Sequence, residues 1–519
     1  MGTSNSNKRV RDFTNTGFAL FSYTANVSLI VNKRYYKGMS ANSIKTNGLV
    51  IGIGAAIIVA LIVVSQWFWP ILDKKTTFKP VKADVSEYML DNGMKVIVRE
   101  DHRFPVVVSQ IWYKVGSSYE YNGITGISHV LEHMMFKGTA AHPAGEFSKI
   151  IAENGGRENA FTGRDYTAYF QQLEKSRLQV SFELEADRMR NLTLSPEEFA
   201  KEVNVVMEER RLRTEDNPEA LTDERFTAAA FQTSAYHNPV IGWMSDLENM
   251  TADDLKAWYQ KWYAPNNATL VVVGDVKPGE VLALAKQYFG VVPSGNVATV
   301  KPSIEVEQEG VRRIVVKRPA RVPYLVMGYQ VPVMATATEK WEPYALEVLA
   351  GILSGDDSAR LPANIVKGEQ LAVSATASYD FAARLQSLFS FSAVPSPSHD
   401  VNAVEQAIYK EIDRLKHELV SKEELARVKT QVVASDVYEK DSIFYQAMLI
   451  GMLETIGLDW KLMDEYVEMI QSVTAEQVQQ VAKKYLVQDR MTLAVLEPLP
   501  MKDKPSSAEA GGPVGDIRH

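Results

Sequence analysis

The chain has 519 residues, 46% of them apolar and 23% charged. That length implies roughly two or three domains with full cores, and the composition excludes a mostly disordered, collagen-like or many-spanning membrane chain. A formal charge of −8 argues against a nucleic-acid binder, and the absence of cysteine excludes disulfides, thiolate nucleophiles, zinc ribbons and iron–sulfur clusters.

Residues 1–48 form a basic, Ser/Thr/Asn-rich segment with seven basic residues and one acid, Asp12. Residues 49–72 then read LVIGIGAAIIVALIVVSQWFWPIL with no charge. Such a run suits a transmembrane anchor, which needs about 20 apolar residues, and Trp67 and Trp69 suit its interface. No small-residue cleavage site follows, so an uncleaved anchor is expected rather than a removed signal peptide. The Lys-rich stretch 73–83 reads as a stalk. Seven basic residues precede the span and Lys74, Lys75, Lys79 and Lys82 follow it closely, so the local bias is nearly balanced. The expected orientation is N-terminus inside with the larger C-terminal part exported, which in a bacterium is an inner-membrane anchor with that part in the periplasm. The acid-poor opening also fits an organelle transit segment, which makes an organelle membrane the alternative. Translation beginning at Met39 would give a more economical signal-anchor.

Beyond the stalk, 94–99 (MKVIVR) and 106–114 (VVVSQIWYK) are predicted strands, rich in β-branched and aromatic residues. A helix is expected through SHVLEHM, a strand over 166–173 and a helix over 175–192. Ser195-Pro196 supplies an N-cap and first-turn proline for another helix, and Thr251 caps one that runs to Tyr263 before the strand 268–274. This last unit recurs. MTADDLKAWYQKWYAPNNATLVVV at 250–273 resembles VTAEQVQQVAKKYLVQDRMTLAVL at 473–496, a constant offset of 223 residues, and KVIV at 95–98 is echoed by RIVV at 313–316. A period this long means a duplicated domain. The expected fold class is α+β: two homologous domains, 84–295 and 306–498, each a mostly antiparallel sheet packed with helices. The stretch 292–303 is the joint, and 499–519 reads as a disordered tail.

The chemistry lies in SHVLEHMMFKG. On a helix, His129 and His133 are one turn apart and face the same way, a spacing that lets two imidazoles grip one Zn²⁺. Glu132 lies on the same side, where a carboxylate can take a proton from water activated by the metal. This is the inverted H-x-x-E-H arrangement, which chance alone produces in roughly one such chain in a hundred. The plain alternative is a polar helix face. A catalytic zinc needs a third protein ligand. In PEEFAKEVNVVMEERRLR, Glu202 and Glu209 stand two turns apart on one face, whereas Glu208 reads as a solvated charge.

These residues, with GGRENAFTGRDYTAYF and HNPVIGWMSDLENMTADDLKAWYQKWYAPNNATLVVVGDV, resemble the insulinase/pitrilysin-type inverzincin zinc peptidases. The closer resemblance is to the processing-peptidase-like bacterial branch, over residues 84–498. It implies a zinc metalloendopeptidase with one Zn²⁺ per chain, Glu209 as third ligand beside His129 and His133, Glu132 as general base and Glu202 as a supporting acid. It also implies that Asn159, Ala160 and Phe161 lie on an edge strand that pairs with the substrate backbone, a mode with limited sequence preference. For Phe161 ordinary core packing is the competing reading.

One departure stands out. The second domain of complete family members offers an Arg and, seven residues on, a Tyr that hold substrate near the zinc. In IVKGEQLAVSATA, Lys367 stands at the Arg position, and Val373 or Ser374 at the Tyr position. An ammonium does not replace a guanidinium fork, and neither Val nor Ser supplies a phenol. A homologous subunit carrying the Arg/Tyr pair, or a second copy of the chain, is therefore the expected partner, with peptides as substrates. Two other readings compete: a non-catalytic scaffold or binding subunit of a membrane complex, and a zinc hydrolase acting on something other than peptides.

Overall fold

The computed structural model describes residues 85–501 apart from positions 298 and 302. The basic segment, the apolar run 49–72, the stalk and most of the tail lie outside the described residues. Among the described residues no helix is long and apolar enough to cross a membrane.

Two sheets organise the chain. The first comprises β1 (Val85–Met89), β2 (Lys95–Glu100), β3 (Val106–Tyr113), β4 (Arg157–Thr162), β5 (Thr167–Glu174) and β6 (Ala268–Gly274), in the order β1-β2-β6-β3-β5-β4. The second comprises β7 (Arg312–Pro319), β8 (Tyr324–Val331), β9 (Ala372–Tyr379), β10 (Ser387–Pro395) and β11 (Met491–Leu499), in the order β7-β11-β8-β10-β9. Setting β1 aside, the two orders correspond strand for strand. Each sheet has one parallel pair, β2–β6 and β7–β11, and is otherwise antiparallel. The sequence repeat carries β6 onto β11. The helices before them, Ala252–Trp262 and Ala475–Tyr485, both begin in capping boxes, Thr251 with Asp254 and Thr474 with Gln477. Two α+β halves of one architecture therefore make up the described chain, as the repeat implies.

The central strands are covered on both faces, which explains why they read as continuous apolar runs rather than alternating ones. Every residue of β8 is buried, and all of β3 except Val106. One face of each sheet packs on helices of its own half. The other face is covered by a helix from the opposite half. The Ile443–Thr455 helix lies on β3 and β6, setting Ala447, Ile450 and Leu453 against Trp112, Val271 and Val273. The Pro218–Ala230 helix lies on the second sheet, with Phe226 among Tyr324, Val326, Ala494 and Leu496. A glycine permits each close approach. A Cβ on Gly451 would sit 2.1 Å from Trp112 Nε1, and one on Gly328 would sit 2.9 Å from Phe226 Cζ.

A buried polar knot also crosses between the halves. Arg384, after β9, donates from Nε to Asp165 Oδ1 (3.1 Å) and from Nη2 to Ser118 Oγ (2.7 Å). Its guanidinium lies 4.4 Å from the centre of the Tyr119 ring, and Tyr236 donates its hydroxyl to Asp165 Oδ2. Asp165 sits in the β4–β5 turn, so the second half braces the hairpin beside the candidate site.

Overpacking a tight core contact typically costs about 1–3 kcal/mol. Gly451→Ala is therefore expected to lower unfolding stability by about that much in urea titration, with part of the loss recovered in the Gly451→Ala/Trp112→Phe double variant. An unchanged midpoint for Gly451→Ala would show that the helix is not seated this closely.

Candidate metal centre

The His-bearing helix runs Ile127–Met134, and its N-terminus is firmly held. Gly126 takes φ +87°, and a Cβ there would meet Ile241 O at 2.6 Å, so the position needs glycine. The Glu120 carboxylate accepts the N–H groups of Gly126 (2.7 Å) and Ser128 (2.9 Å). Burial pushes the Glu120 carboxyl up to about 7 against these two bonds. Asp246 Oδ2 accepts from Gly123 N, Thr125 N and Thr125 Oγ1, pinning the preceding turn.

The second helix, Pro196–Arg210, starts at the Ser195 cap, whose hydroxyl accepts from Glu197 N and Glu198 N. It buries Phe199, Val203 and Val206 against the first core, which turns Glu202 and Glu209 toward the histidines. A short π-helical turn, Arg211–Glu215, follows. Arg210 anchors it by donating two hydrogen bonds to the Glu224 carboxylate (2.7 and 3.0 Å) and one to Gly242 O (2.8 Å).

Between these helices three side chains converge. Glu209 Oε2 lies 3.8 Å from His129 Nε2 and 3.6 Å from His133 Nε2, and one donor atom from each of the three residues falls within 4.8 Å of the others. Among the described residues no other group of three His, Asp or Glu ligand atoms comes this close. Bonds of about 2.0–2.2 Å to a tetrahedral zinc would leave neighbouring donors roughly 3.3–3.6 Å apart, so the triad is already near that spacing. The side chains are 13%, 23% and 15% exposed for His129, His133 and Glu209, shielded yet reachable from solvent.

Charge and hydrogen bonding suit a metal. Burial lowers His129 to about 3, with His133 and Arg213 adding to the effect, so its imidazole stays neutral and able to ligate. The tautomer of His133 is set by Glu202, whose Oε2 accepts from Nδ1 at 3.3 Å and leaves Nε2 free toward Glu209. Burial alone would lower His133; the Glu202 bond and the Glu132, Glu209 and Glu202 charges outweigh it and raise it. Burial would raise Glu202, but bonds from His133 and from Lys137 Nζ (2.6 Å on Oε1) hold it below its usual range. Arg213, one turn after Glu209, pairs with Glu209 Oε1 and leaves Oε2 to the histidines. The buried Nδ1 of His129 has no partner.

Glu132 is half-buried beside the triad, and its desolvation there pushes its carboxyl up to about 7 despite the Thr162 hydroxyl donating to its Oε2. Thr162 ends β4. That strand holds Asn159, Ala160 and Phe161, pairs only with β5 and is the edge of its sheet. The three residues divide between faces: Ala160 packs in the core shared with the His helix, whereas Phe161 turns to the opposite face, edge-on to Trp112 with ring centres 5.3 Å apart. The Phe161 side chain is thus engaged in packing while its backbone remains on the edge. Glu208 is a solvated charge paired with Arg211.

In the second half, Lys367 sits in a π-helical turn (Leu361–Gly368) and pairs with Asp357 at 3.0 Å. Val373 and Ser374 lie on β9, the edge of the second sheet; the register with β10 steps over Val373, which is 62% exposed. Neither a guanidinium nor a phenol stands at these positions. The sequence alone does not single out Lys137, Thr162 or Arg213, although Lys137 and Arg213 follow His133 and Glu209 by four residues, the spacing of one helical turn.

Fold and site together define a two-domain α+β chain with an inverted His–His–Glu metal-ligand motif. Residues 95–243 match the family described as Insulinase (Peptidase family M16), and residues 249–432 match the one described as Peptidase M16 inactive domain. Zinc protease PqqE of Helicobacter pylori is 32% identical over 413 residues, covering 79% of this chain and 92% of that protein. The uncharacterized zinc protease YmxG of Bacillus subtilis is 25% identical over 417 residues, covering 80% and 98%. A crystal structure of a protease from Helicobacter pylori superposes with a TM-score of 0.76 at 31% identity, covering 80% of this chain and all of that one. The chain belongs to peptidase family M16.

Removing a group that orients a metal-bound imidazole typically weakens metal affinity 10–100-fold. Glu202→Gln is expected to weaken binding of added Zn²⁺ by about that factor, measured by competition with a chromophoric chelator. Unchanged affinity would mean that His133 is oriented without it.

Proposed function

We propose that this chain is a membrane-anchored zinc metalloendopeptidase hydrolysing short or unfolded peptides, working with a homologous subunit that supplies the missing Arg/Tyr pair. The observation that carries this reading is the convergence of His129, His133 and Glu209 beside Glu132. These three residues would hold one zinc. When bound, zinc supplies a Lewis acid that polarises the scissile carbonyl and acidifies water. Glu132 takes the proton of the attacking water on the oxygen that Thr162 leaves free, and returns it to the departing amine. Glu202 and Lys137 keep His133 in the ligating tautomer, and Arg213 keeps one oxygen of Glu209 turned toward the histidines. A peptide adding as a further strand to β4 would pair its backbone with Asn159–Phe161 and run toward Thr162 and Glu132.

The partner follows from what the second half lacks at Lys367, Val373 and Ser374; a homologous subunit with Arg and Tyr, or a second copy of this chain, would complete the substrate grip. Membrane attachment rests on the uncharged run 49–72, and a bacterial inner membrane with the catalytic part in the periplasm on the charge pattern around it.

General base catalysis typically contributes about 10²–10⁴-fold. Glu132→Gln in the purified full-length protein is expected to keep its zinc and lose cleavage of an unstructured peptide library by about that factor. Both proteins would be assayed with and without co-expressed homologous subunits. A cleavage gain only in their presence supports the shared site. A zinc-bearing parent that cleaves nothing in either arm would favour the scaffold reading.

A further inference from the structure

The second half contains a cavity that the peptidase reading does not use. It measures about 60 Å³, and since about 10–15 Å³ on this measure admits one water, it has room for several waters or a small organic group. Its polar wall is Asp380, Asp436, Tyr445 and Tyr466; its apolar wall is built mainly from Leu449, Met452, Leu453 and Leu462.

The charges around it do not balance. Glu347 and Glu439 face the same tyrosines, so four carboxyl groups act on one another here. Two cations answer them: Lys440 pairs with Asp436 at 2.9 Å, and Arg164 bears on Asp380. Glu347 is only 2% exposed, and its Oε2 has no hydrogen-bond partner; the same holds for Glu439 Oε2. Tyr466, 8% exposed and part of the cavity wall, has an unpartnered hydroxyl. Burial, with the neighbouring acids adding, pushes the Glu347 carboxyl up to about 8 and that of Asp380 to about 6, a sign of how poorly these charges are compensated. The acids do not form a metal cage, because among the described residues three ligand atoms come within 4.8 Å only at His129, His133 and Glu209.

We propose that this cavity binds a primary ammonium on a short apolar stem, the chemistry shared by a lysine side chain and a free alkylamine. The ammonium meets the Asp380 and Asp436 carboxyls and the unpartnered Tyr466 hydroxyl in the cavity wall, together with its aromatic faces; Glu347 and Glu439 stand behind that wall. The stem lies against the Leu and Met side chains. Met452 and Leu453 belong to the helix that covers β3 and β6, and Asp380 faces Arg164 in the β4–β5 turn, two residues beyond Thr162. An occupant would therefore tie the covering helix to the hairpin beside the metal centre.

The test is titration calorimetry and thermal unfolding of the full-length protein with n-butylammonium, n-butanol, a Gly-Lys-Gly peptide blocked at both ends, and its Nε-acetyl form. Saturable binding of n-butylammonium with a rise in Tm, and none with n-butanol, is the expected result. Binding of the Lys peptide as well, lost on acetylation, identifies a peptide side chain as the source; binding of the amine alone identifies a free amine. A charged hydrogen bond is typically worth about 1.5–3 kcal/mol, so Asp380→Asn should weaken binding about tenfold or more. Tyr466→Phe, which removes only the hydroxyl, serves if Asp380→Asn fails to fold and should weaken binding measurably. Absence of saturable binding, equal binding of n-butanol, or unchanged affinity in both variants would overturn the proposal. Zinc content measured on the same samples is expected to stay constant, which separates this result from any failure at the metal centre.

Discussion

The chemistry of this chain depends on one packing decision: the Pro196–Arg210 helix must cross the Ile127–Met134 helix so that Glu202 and Glu209 both reach the histidines. Two imidazoles one turn apart supply only half of a tetrahedral site. The third donor lies far along the chain, and burial of Phe199, Val203 and Val206 places it. The same crossing puts Glu202 on His133 Nδ1, so the contact that brings Glu209 to the histidines also selects the tautomer. Three carboxylates and two imidazoles in one shielded space would repel or misprotonate if unpaired. Lys137 and Arg213 answer two of the carboxylates, and the Thr162 hydroxyl engages the third.

The halves are copies in topology and unequal in chemistry. Each sheet has one face covered by a helix of the other half, through glycines that let the helix or strand approach an aromatic ring. Neither sheet is covered on both faces without its partner. The Arg384–Asp165 knot extends this mutual support to the hairpin whose last β4 residue bonds Glu132. The second half thus contributes to the site by holding it in place, with neither a guanidinium nor a phenol at its Lys367, Val373 and Ser374 positions.

Much of this is legible in the sequence because its causes are local. β-Branched runs such as TLVVV give β6 and its counterpart β11 their bounds, Ser195 and Thr251 mark helix starts through their own hydroxyls, and the spacing of His129 and His133 needs only helical geometry. Glu209 is legible in part, since Glu202 and Glu209 share a face by periodicity, and resemblance to the insulinase-type peptidases singles out the third ligand. Thr162, Arg384 and the exchanged helices are not legible, because each depends on which elements meet in space. Phe161 shows the limit well. Its place on an edge strand follows from the family resemblance, but the face its ring takes is set by a pleat whose two sides are covered by different halves.

Zinc peptidase chemistry in this chain requires that His129, His133 and Glu209 form one metal site. X-ray absorption at the zinc edge on the zinc-loaded full-length protein tests this directly. One zinc per chain, with two imidazole nitrogens and a carboxylate oxygen at about 2.0–2.2 Å, is the expected coordination, with the carboxylate contribution lost in Glu209→Gln. A zinc without imidazole ligands, or an unchanged spectrum in Glu209→Gln, would contradict it.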